Sequence, residues 1–293
     1  MKPVSMRSRV RGISLIEMLI SVVIGLVVVG AVLVSIIGSN KAGRFQSAYA
    51  QMNEDAQIGL SILSRDLQMA GYAQPTALTS SGGASPTLSL TSTTLGTSTF
   101  VFGCDSGFAN PRAATLVCGT ATTPAFEVAY EADKDNTVLT GGGLPSDCLG
   151  NGIPGAAPHV ARNRYFLASG NSGRPELYCA SDIAGSTQPL IENIEGMKIW
   201  YGVSVPASPT QVVRYVTATD IAGLGAVAAA AEWAQVISVR MCLLVRSAEP
   251  VLNAGGEDTL TYLDCDSVSQ TSNDRYLRRA YFTTASLRNR MPF

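Results

Sequence analysis

Apolar positions along the chain fall into three regimes. From Ile13 to Asn40 the sequence reads ISLIEMLISVVIGLVVVGAVLVSIIGSN, apolar on every helical face, with Glu17 its sole ionisable residue. Met18 to Ile37 is 20 uncharged residues, about the length a helix needs to cross ~30 Å of hydrocarbon. The second regime is a stripe. Phe45, Tyr49, Met52, Ala56, Leu60, Leu63, Leu67 and Ala70 recur at steps of three and four, while Arg44, Glu54, Asp55, Arg65 and Asp66 lie off it. That pattern predicts an amphipathic continuation of the same helix. Gly71 is placed to end it and Pro75 forbids much further continuation. A helix over 13–70 would be about 87 Å long at about 1.5 Å per residue. Its first half has no soluble core to bury it and needs lipid or similar helices; its second half has one apolar face suited to a sheet. Gly25 and Gly30 permit close helix approach or simply sit in a membrane helix, two readings of equal weight.

The third regime begins at residue 73. Residues 73–96 are rich in Ser, Thr, Gly and Pro and uncharged, which reads as a surface loop. After it come short β-branched and aromatic runs bounded by turn residues. The predicted strands are Thr97–Phe102, Thr115–Cys118, Phe126–Glu131, Tyr165–Ala168, Glu176–Ala180, Met197–Val203, Val212–Thr217, Val236–Arg246 and Tyr276–Thr284. Stretches 141–155 and 169–174 read as long loops, and Ala218–Ala234 as holding a short helix. One long helix succeeded by runs of strands indicates an α+β fold, with the helix packed on a mainly antiparallel sheet.

Charge gives the helix a direction. The 293 residues carry 21 basic and 22 acidic side chains, so a general positive field for nucleic acid is absent and no nucleic-acid contact is inferred. The balance is local, however. Residues 1–12 hold Lys2, Arg7, Arg9 and Arg11 with no acid; a basic head before an apolar run sets the amino end in the cytoplasm and exports the chain beyond the run. A cleaved secretory signal fits poorly, because its apolar region is shorter, about 7–15 residues, and the Ala48-Tyr49-Ala50 imitation of a cleavage site lies beyond Lys41 and Arg44. Glu17 then needs a reason. A charge at mid-bilayer costs roughly 2.5–3.5 kcal/mol, less one turn from the end. Either its carboxylate reaches the interface, or it meets a positive group when the helix packs against others.

The six cysteines, Cys104, Cys118, Cys148, Cys179, Cys242 and Cys265, form no C-x-x-C pair, which argues against zinc and thioredoxin-like chemistry. An even number in an exported region favours disulfides. Six cysteines allow fifteen pairings, and spacing does not select one; the nearest-neighbour set, 104–118, 148–179 and 242–265, is the expectation, since each bridge closes one hairpin or loop and would stabilise by about 3–4 kcal/mol. The alternative for Cys242, inside the apolar run VISVRMCLLVR, is a buried free thiol.

Candidate chemistry is sparse. No G-x-S-x-G, P-loop or H-E-x-x-H motif occurs, and with His159 the single histidine a two-histidine acid–base site is excluded by counting. No catalytic residue, cofactor or resident metal is expected; His159 reads as a surface or loop residue. Asp258, Asp264, Asp266 and Asp274 could supply oxygen ligands to calcium but lack the spacing of a calcium loop. Arg275, Arg278, Arg279, Arg288 and Arg290 crowd the last residues, as a solvated strand face or as a docking patch for an acidic neighbour.

Four segments resemble a known family. Arg11-Gly12-Ile13-Ser14-Leu15-Ile16-Glu17 resembles the class III signal of type IV prepilins: a short basic leader ending in glycine, an apolar first mature residue, and a glutamate one helical turn later. The stretch Leu190–Gly202 (LIENIEGMKIWYG) resembles the LVENVEGLQVRYG-like segment of PilW-class minor pilins, which are related to type II secretion pseudopilin J. The run from Trp233 to Arg246 and the tail Arg278–Arg290 (RRAYFTTASLRNR) are similar to the same class, whereas residues 73–188 carry no resemblance. The resemblance implies cleavage by a prepilin peptidase between Gly12 and Ile13, N-methylation of Ile13, and a role for Glu17 in neutralising the terminal amine of a neighbouring subunit.

It also implies a division into a leader (1–12), a membrane and assembly half-helix (13–40), an amphipathic half-helix (41–71) and a periplasmic head (72–293). The function expected is that of a minor pilin priming or capping a type IV pilus, without catalysis. Its partners would be the prepilin peptidase, other minor pilins, the major pilin, the inner membrane and a PilY-type tip adhesin. A type II secretion pseudopilin and a signal-anchored periplasmic enzyme or binding domain are the rivals.

Overall fold

The computed structural model describes residues 12, 14–73, 100–170, 173–183, 187–222, 233–251 and 259–290. They form one 55-residue helix, α1 (Leu15–Met69), and then eleven strands and short helices. The chain divides into two compact units, residues 1–47 and 48–293, with the boundary inside α1.

Below that boundary the amphipathic stripe is buried. Met52, Ala56, Leu63, Leu67 and Ala70 lie in the core, and Gly59 joins them. A Cβ on Gly59 would stand 3.1 Å from Leu243 Cδ1, so its bareness lets helix and sheet approach. The expected Phe45 and Leu60 are only half-buried and Tyr49 is exposed. Gly71 adopts φ 72°, the left-handed conformation that suits a helix-ending glycine. The emerging chain pairs at once with a strand, Gly71 N–H donating to Ala129 O (3.0 Å) and Glu131 N–H to Tyr72 O (2.9 Å).

Two antiparallel sheets complete the head. The first is a five-stranded meander, β1 (Val101–Cys104), β2 (Ala125–Ala132), β3 (His159–Ser169), β4 (Pro175–Ser181) and β5 (Thr187–Glu192), in sequential order. The second has the order β11-β8-β6-β7, from β6 (Ile194–Val203), β7 (Arg214–Val216), β8 (Val236–Arg246) and β11 (Arg278–Ser286). A small hairpin of β9 (Leu260–Leu263) and β10 (Ser269–Ser272) stands apart. This is the long helix on antiparallel sheet of the α+β expectation. Between β5 and β6 the chain changes sheet through one residue, Asn193, at φ 64°, a conformation Asn tolerates better than most side chains.

Several elements differ from expectation. Thr115–Cys118 is not a strand; it lies in the loop between β1 and β2, with a single bridge from Cys118 to Phe108. Strand β3 begins at His159, so that residue is neither loop nor fully exposed. Strand β3 also runs through Arg162 and Arg164, which are buried because Glu127 lies beside them: Arg164 Nε donates to Glu127 Oε2 at 2.6 Å and Arg162 Nη1 stands 3.7 Å from Oε1. Strands β5, β9 and β10 lie outside the predicted set. Of the expected helix in 218–234, α2 covers Ala218–Ala222, capped by Asp105, which accepts from Thr219 N–H at 2.7 Å; residues 223–232 lie outside the described residues, as do 97–99 of the first predicted strand. Trp233 packs edge-on to Tyr201 of β6 (4.7 Å) and tilted against Phe102 of β1 (5.6 Å), tying the two sheets together.

Candidate functional site

The upper half of α1 is where sequence reasoning placed the chemistry. Among the described residues one helix, α1, is long and apolar enough to cross a membrane. Glu17 occupies its first turn, where a carboxylate is favoured by the unpaired N–H groups of the helix end. Ser21 Oγ donates to the Glu17 backbone carbonyl at 2.7 Å, and Glu17 itself is exposed. From Leu15 to Ile37 the large apolar side chains are all exposed, up to 72% for Val34 and 78% for Leu15. A Cβ added to Gly25 or Gly30 would meet nothing within 4 Å. Gly12 is exposed; Ile13 lies outside the described residues. The site is thus an uncovered apolar rod with one carboxylate near its start, able to associate but holding no acid–base or nucleophilic pair.

The lower half of α1 is anchored through polar contacts that the stripe did not foretell. Tyr281 O–H of β11 donates to Asn53 Oδ1 at 2.6 Å. Asp55 bonds the Asn193 side chain, and burial raises its carboxyl above the ordinary value. Asp66, expected off the apolar face, turns its carboxylate into the head, where Oδ2 accepts from both Tyr165 O–H and Asn163 Nδ2, each at 2.6 Å. At the helix end Asn289 Nδ2 donates to the carbonyls of Gln68 (3.1 Å), Met69 and Ala70 (both 3.4 Å), groups a helix terminus leaves unpaired. A helical period cannot reveal these contacts, because a carboxylate beside an apolar stripe reads as solvent-facing.

The remaining candidates resolve individually. The disulfides join consecutive cysteines, Cys104–Cys118, Cys148–Cys179 and Cys242–Cys265, so the free-thiol alternative for Cys242 is corrected. The aspartates of the calcium reading are engaged elsewhere: Asp264 accepts from Asp266 N–H, Val268 N–H and Gln270 Nε2, Asp266 pairs with Lys198, and Asp274 with Arg278. Asp258 lies outside the described residues. Among the described residues no three His, Cys, Asp or Glu side chains gather as a metal cluster. Arg278 is neither a solvated nor a docking cation. Its guanidinium is clamped by Asp274 and Glu195, and the hydrogen bond from Arg278 holds the Asp274 carboxyl below its ordinary value. Arg279 lies over the Tyr281 ring, and Arg288 is exposed. Arg275 has φ 69°.

Comparison with known proteins adds three findings. The family model described as "Type IV Pilus-assembly protein W" matches residues 164–289. The "Prokaryotic N-terminal methylation motif" matches residues 7–33, spanning Gly12, Ile13 and Glu17. Among solved structures, a type IV-like pilin from Thermus thermophilus aligns over 81% of this chain and 97% of its own, at 11% identity and a TM-score of 0.37; that overlap is too loose to carry an argument. No curated protein matches the sequence. The matched family segment runs from the middle of β3 to Asn289, and so includes Asn193, Arg278 and the helix-capping tail.

Proposed function

Starting from a non-enzymatic, type IV pilin-like chain of the PilW kind, we propose that it is a minor pilin that primes or caps a type IV pilus. Residues 1–12 are its leader, 13–40 its membrane and assembly half-helix, 41–71 the amphipathic half that holds the head, and 72–293 the head itself. A prepilin peptidase cuts between Gly12 and Ile13 and methylates the Ile13 amine. Before assembly the helix spans the inner membrane, with the amino end cytoplasmic and the head periplasmic. It then leaves lipid for a bundle of similar helices contributed by other minor pilins and the major pilin, with a PilY-type adhesin at the tip.

One observation carries this reading: 20 consecutive uncharged residues, Met18–Ile37, exposed on all sides behind a single carboxylate. Lipid satisfies the apolar surface but not Glu17, whereas a bundle presenting a neighbour's terminal amine satisfies both. Two opposite charges held among apolar helices fix the stagger, chiefly because separating them strands a buried charge. The test is Glu17→Ala. The variant is expected to insert, be cleaved and carry a methylated Ile13 by mass spectrometry, yet be missing from sheared fibres and from co-precipitates with other pilins. Its normal recovery in fibres would contradict the role given to Glu17, and an uncut amino terminus in the wild type would contradict the processing.

A further inference from the structure

Three of the edges of the two large sheets are poorly suited to further pairing. Strand β1 is four residues long and ends at the Cys104–Cys118 bridge. Strand β5 carries Pro189, and its register against β4 shifts between Leu177 and Tyr178. Strand β7 is three residues long. Short strands, prolines and irregular register are common means by which a sheet avoids pairing with another chain. The remaining edge, β11, uses none of them. It is nine residues long, pairs with β8 in unbroken register, and from Ala280 to Ser286 (AYFTTAS) holds no charge, proline or glycine.

The register identifies the backbone groups this edge offers. Leu287 N–H donates to Ile237 O and Ser247 N–H to Leu277 O, so the odd-numbered residues of β11 bond inward to β8. The alternation of an antiparallel ladder then turns the N–H and C=O of Ala280, Phe282 and Thr284 outward. Among the described residues none of these groups has a backbone partner. Phe282 and Thr284 are exposed.

Charge selects the kind of strand that fits. Residues 275–293 contain five arginines and no Asp or Glu. Arg278 is satisfied by Asp274 and Glu195. Arg279, by contrast, is exposed and rests over the Tyr281 ring, and Arg240 of β8, also exposed, lies against the Phe282 ring. Beside an added strand Arg279 occupies a pair with no backbone bonds, where facing side chains come closest. A carboxylate opposite it is favoured and a second cation is not. Another copy of β11 brings only more arginine.

We propose that the open edge of β11 accepts an extended, acidic strand from another polypeptide, which lengthens the β11-β8-β6-β7 sheet through Ala280, Phe282 and Thr284 and sets a carboxylate against Arg279. In such additions main-chain bonds supply affinity and flanking side chains supply selectivity. Antiparallel entry lets each outward residue make both of its bonds to a single residue of the guest. The guest's carboxyl-terminal end, carrying the acid, then lies beside Arg279.

The test uses the full chain in nonionic detergent micelles. The probe is a blocked peptide of nine residues, the length of β11, alternating Val and Thr with two glutamates near its carboxyl end. Amide exchange along β11 is followed residue by residue as peptide is added. In the free chain the amides of Ala280, Phe282 and Thr284 are expected to exchange fast and those of Tyr281 and Thr283 slowly. With peptide at about ten times its dissociation constant the outward amides should slow roughly tenfold, the inward ones staying as they were. A peptide with lysines in place of the glutamates should bind more weakly, and Arg279→Glu should reverse that preference. Thr284→Pro removes an outward N–H that the β8 ladder does not use; it should abolish protection at Ala280 and Phe282 without moving the urea midpoint. Slow outward amides in the free chain overturn the proposal, because the edge is then already covered. So does the absence of protection by the acidic peptide, or equal protection by the lysine peptide or by a peptide of β11's own sequence. Should Thr284→Pro lower the midpoint, the charge exchange at Arg279 decides alone.

Discussion

The two ends of α1 use the same secondary structure for opposite purposes. From Leu15 to Ile37 the helix is apolar on every face but for Glu17, and its large side chains are exposed. Below it, a narrower stripe, Met52 to Ala70, is buried against both sheets, with Asn53, Asp55 and Asp66 hydrogen-bonded to the head. Hydrophobicity by itself therefore does not mark a core. The upper half holds the more continuous apolar sequence and contributes least to the stability of the isolated fold; the lower half, diluted with charge, contributes more because each apolar residue meets a partner.

Four single substitutions sharpen or break that contrast. The largest effect is expected in the head, at Arg164→Ala, which leaves the buried Glu127 carboxylate with the longer Arg162 contact at 3.7 Å in place of its 2.6 Å partner and releases the carbonyls of Pro111 and Ala113 that Arg164 Nη1 holds at 2.9 and 2.8 Å. Removing one member of a buried pair costs about 3–5 kcal/mol, read as a lower urea midpoint of the detergent-solubilised chain; adding Glu127→Leu should restore part of it. Next is a matched pair within α1. Leu63→Ala, at 0% exposure, should cost about 2–5 kcal/mol, while Leu26→Ala, at 67% exposure, should leave the midpoint within about 0.5 kcal/mol. Equal losses would erase the distinction between the halves. The smallest effect is expected at Asn289→Ala, which uncaps the last carbonyls of α1 and should cost about 0.5–1.5 kcal/mol, with amide exchange accelerated at residues 66–71 rather than throughout.

Legibility from sequence divides at the same point. The upper half of α1 was legible because lipid-like surroundings act on composition, with no partner needed to interpret it. The lower half was legible as a stripe, but Asp66 was misplaced, because its partners Asn163 and Tyr165 are 97 and 99 residues away and their direction is set by the pleat of β3. Arg162 and Arg164 hid the first half of β3 in the same way, reading as polar until Glu127 is laid beside them. Strand β10 (Ser269–Ser272) carries no apolar face at all; its hairpin is held by the Cys242–Cys265 bridge and by Asp264, whose carboxylate gathers the turn. The motif residues were visible without their reasons. Asn193 is where the chain turns from one sheet to the other, Arg278 neutralises two acids, and Asn289 ends the helix, so the segments that carry the family likeness build the scaffold.

The order of the bridges has one more consequence. Each cysteine is joined to the next one along the chain, and no bridge encloses or interleaves with another. A polypeptide delivered amino end first into an oxidising compartment offers Cys104 only Cys118, then Cys148 only Cys179, then Cys242 only Cys265. Oxidation in order of arrival yields the native set directly, leaving a reshuffling enzyme nothing to correct.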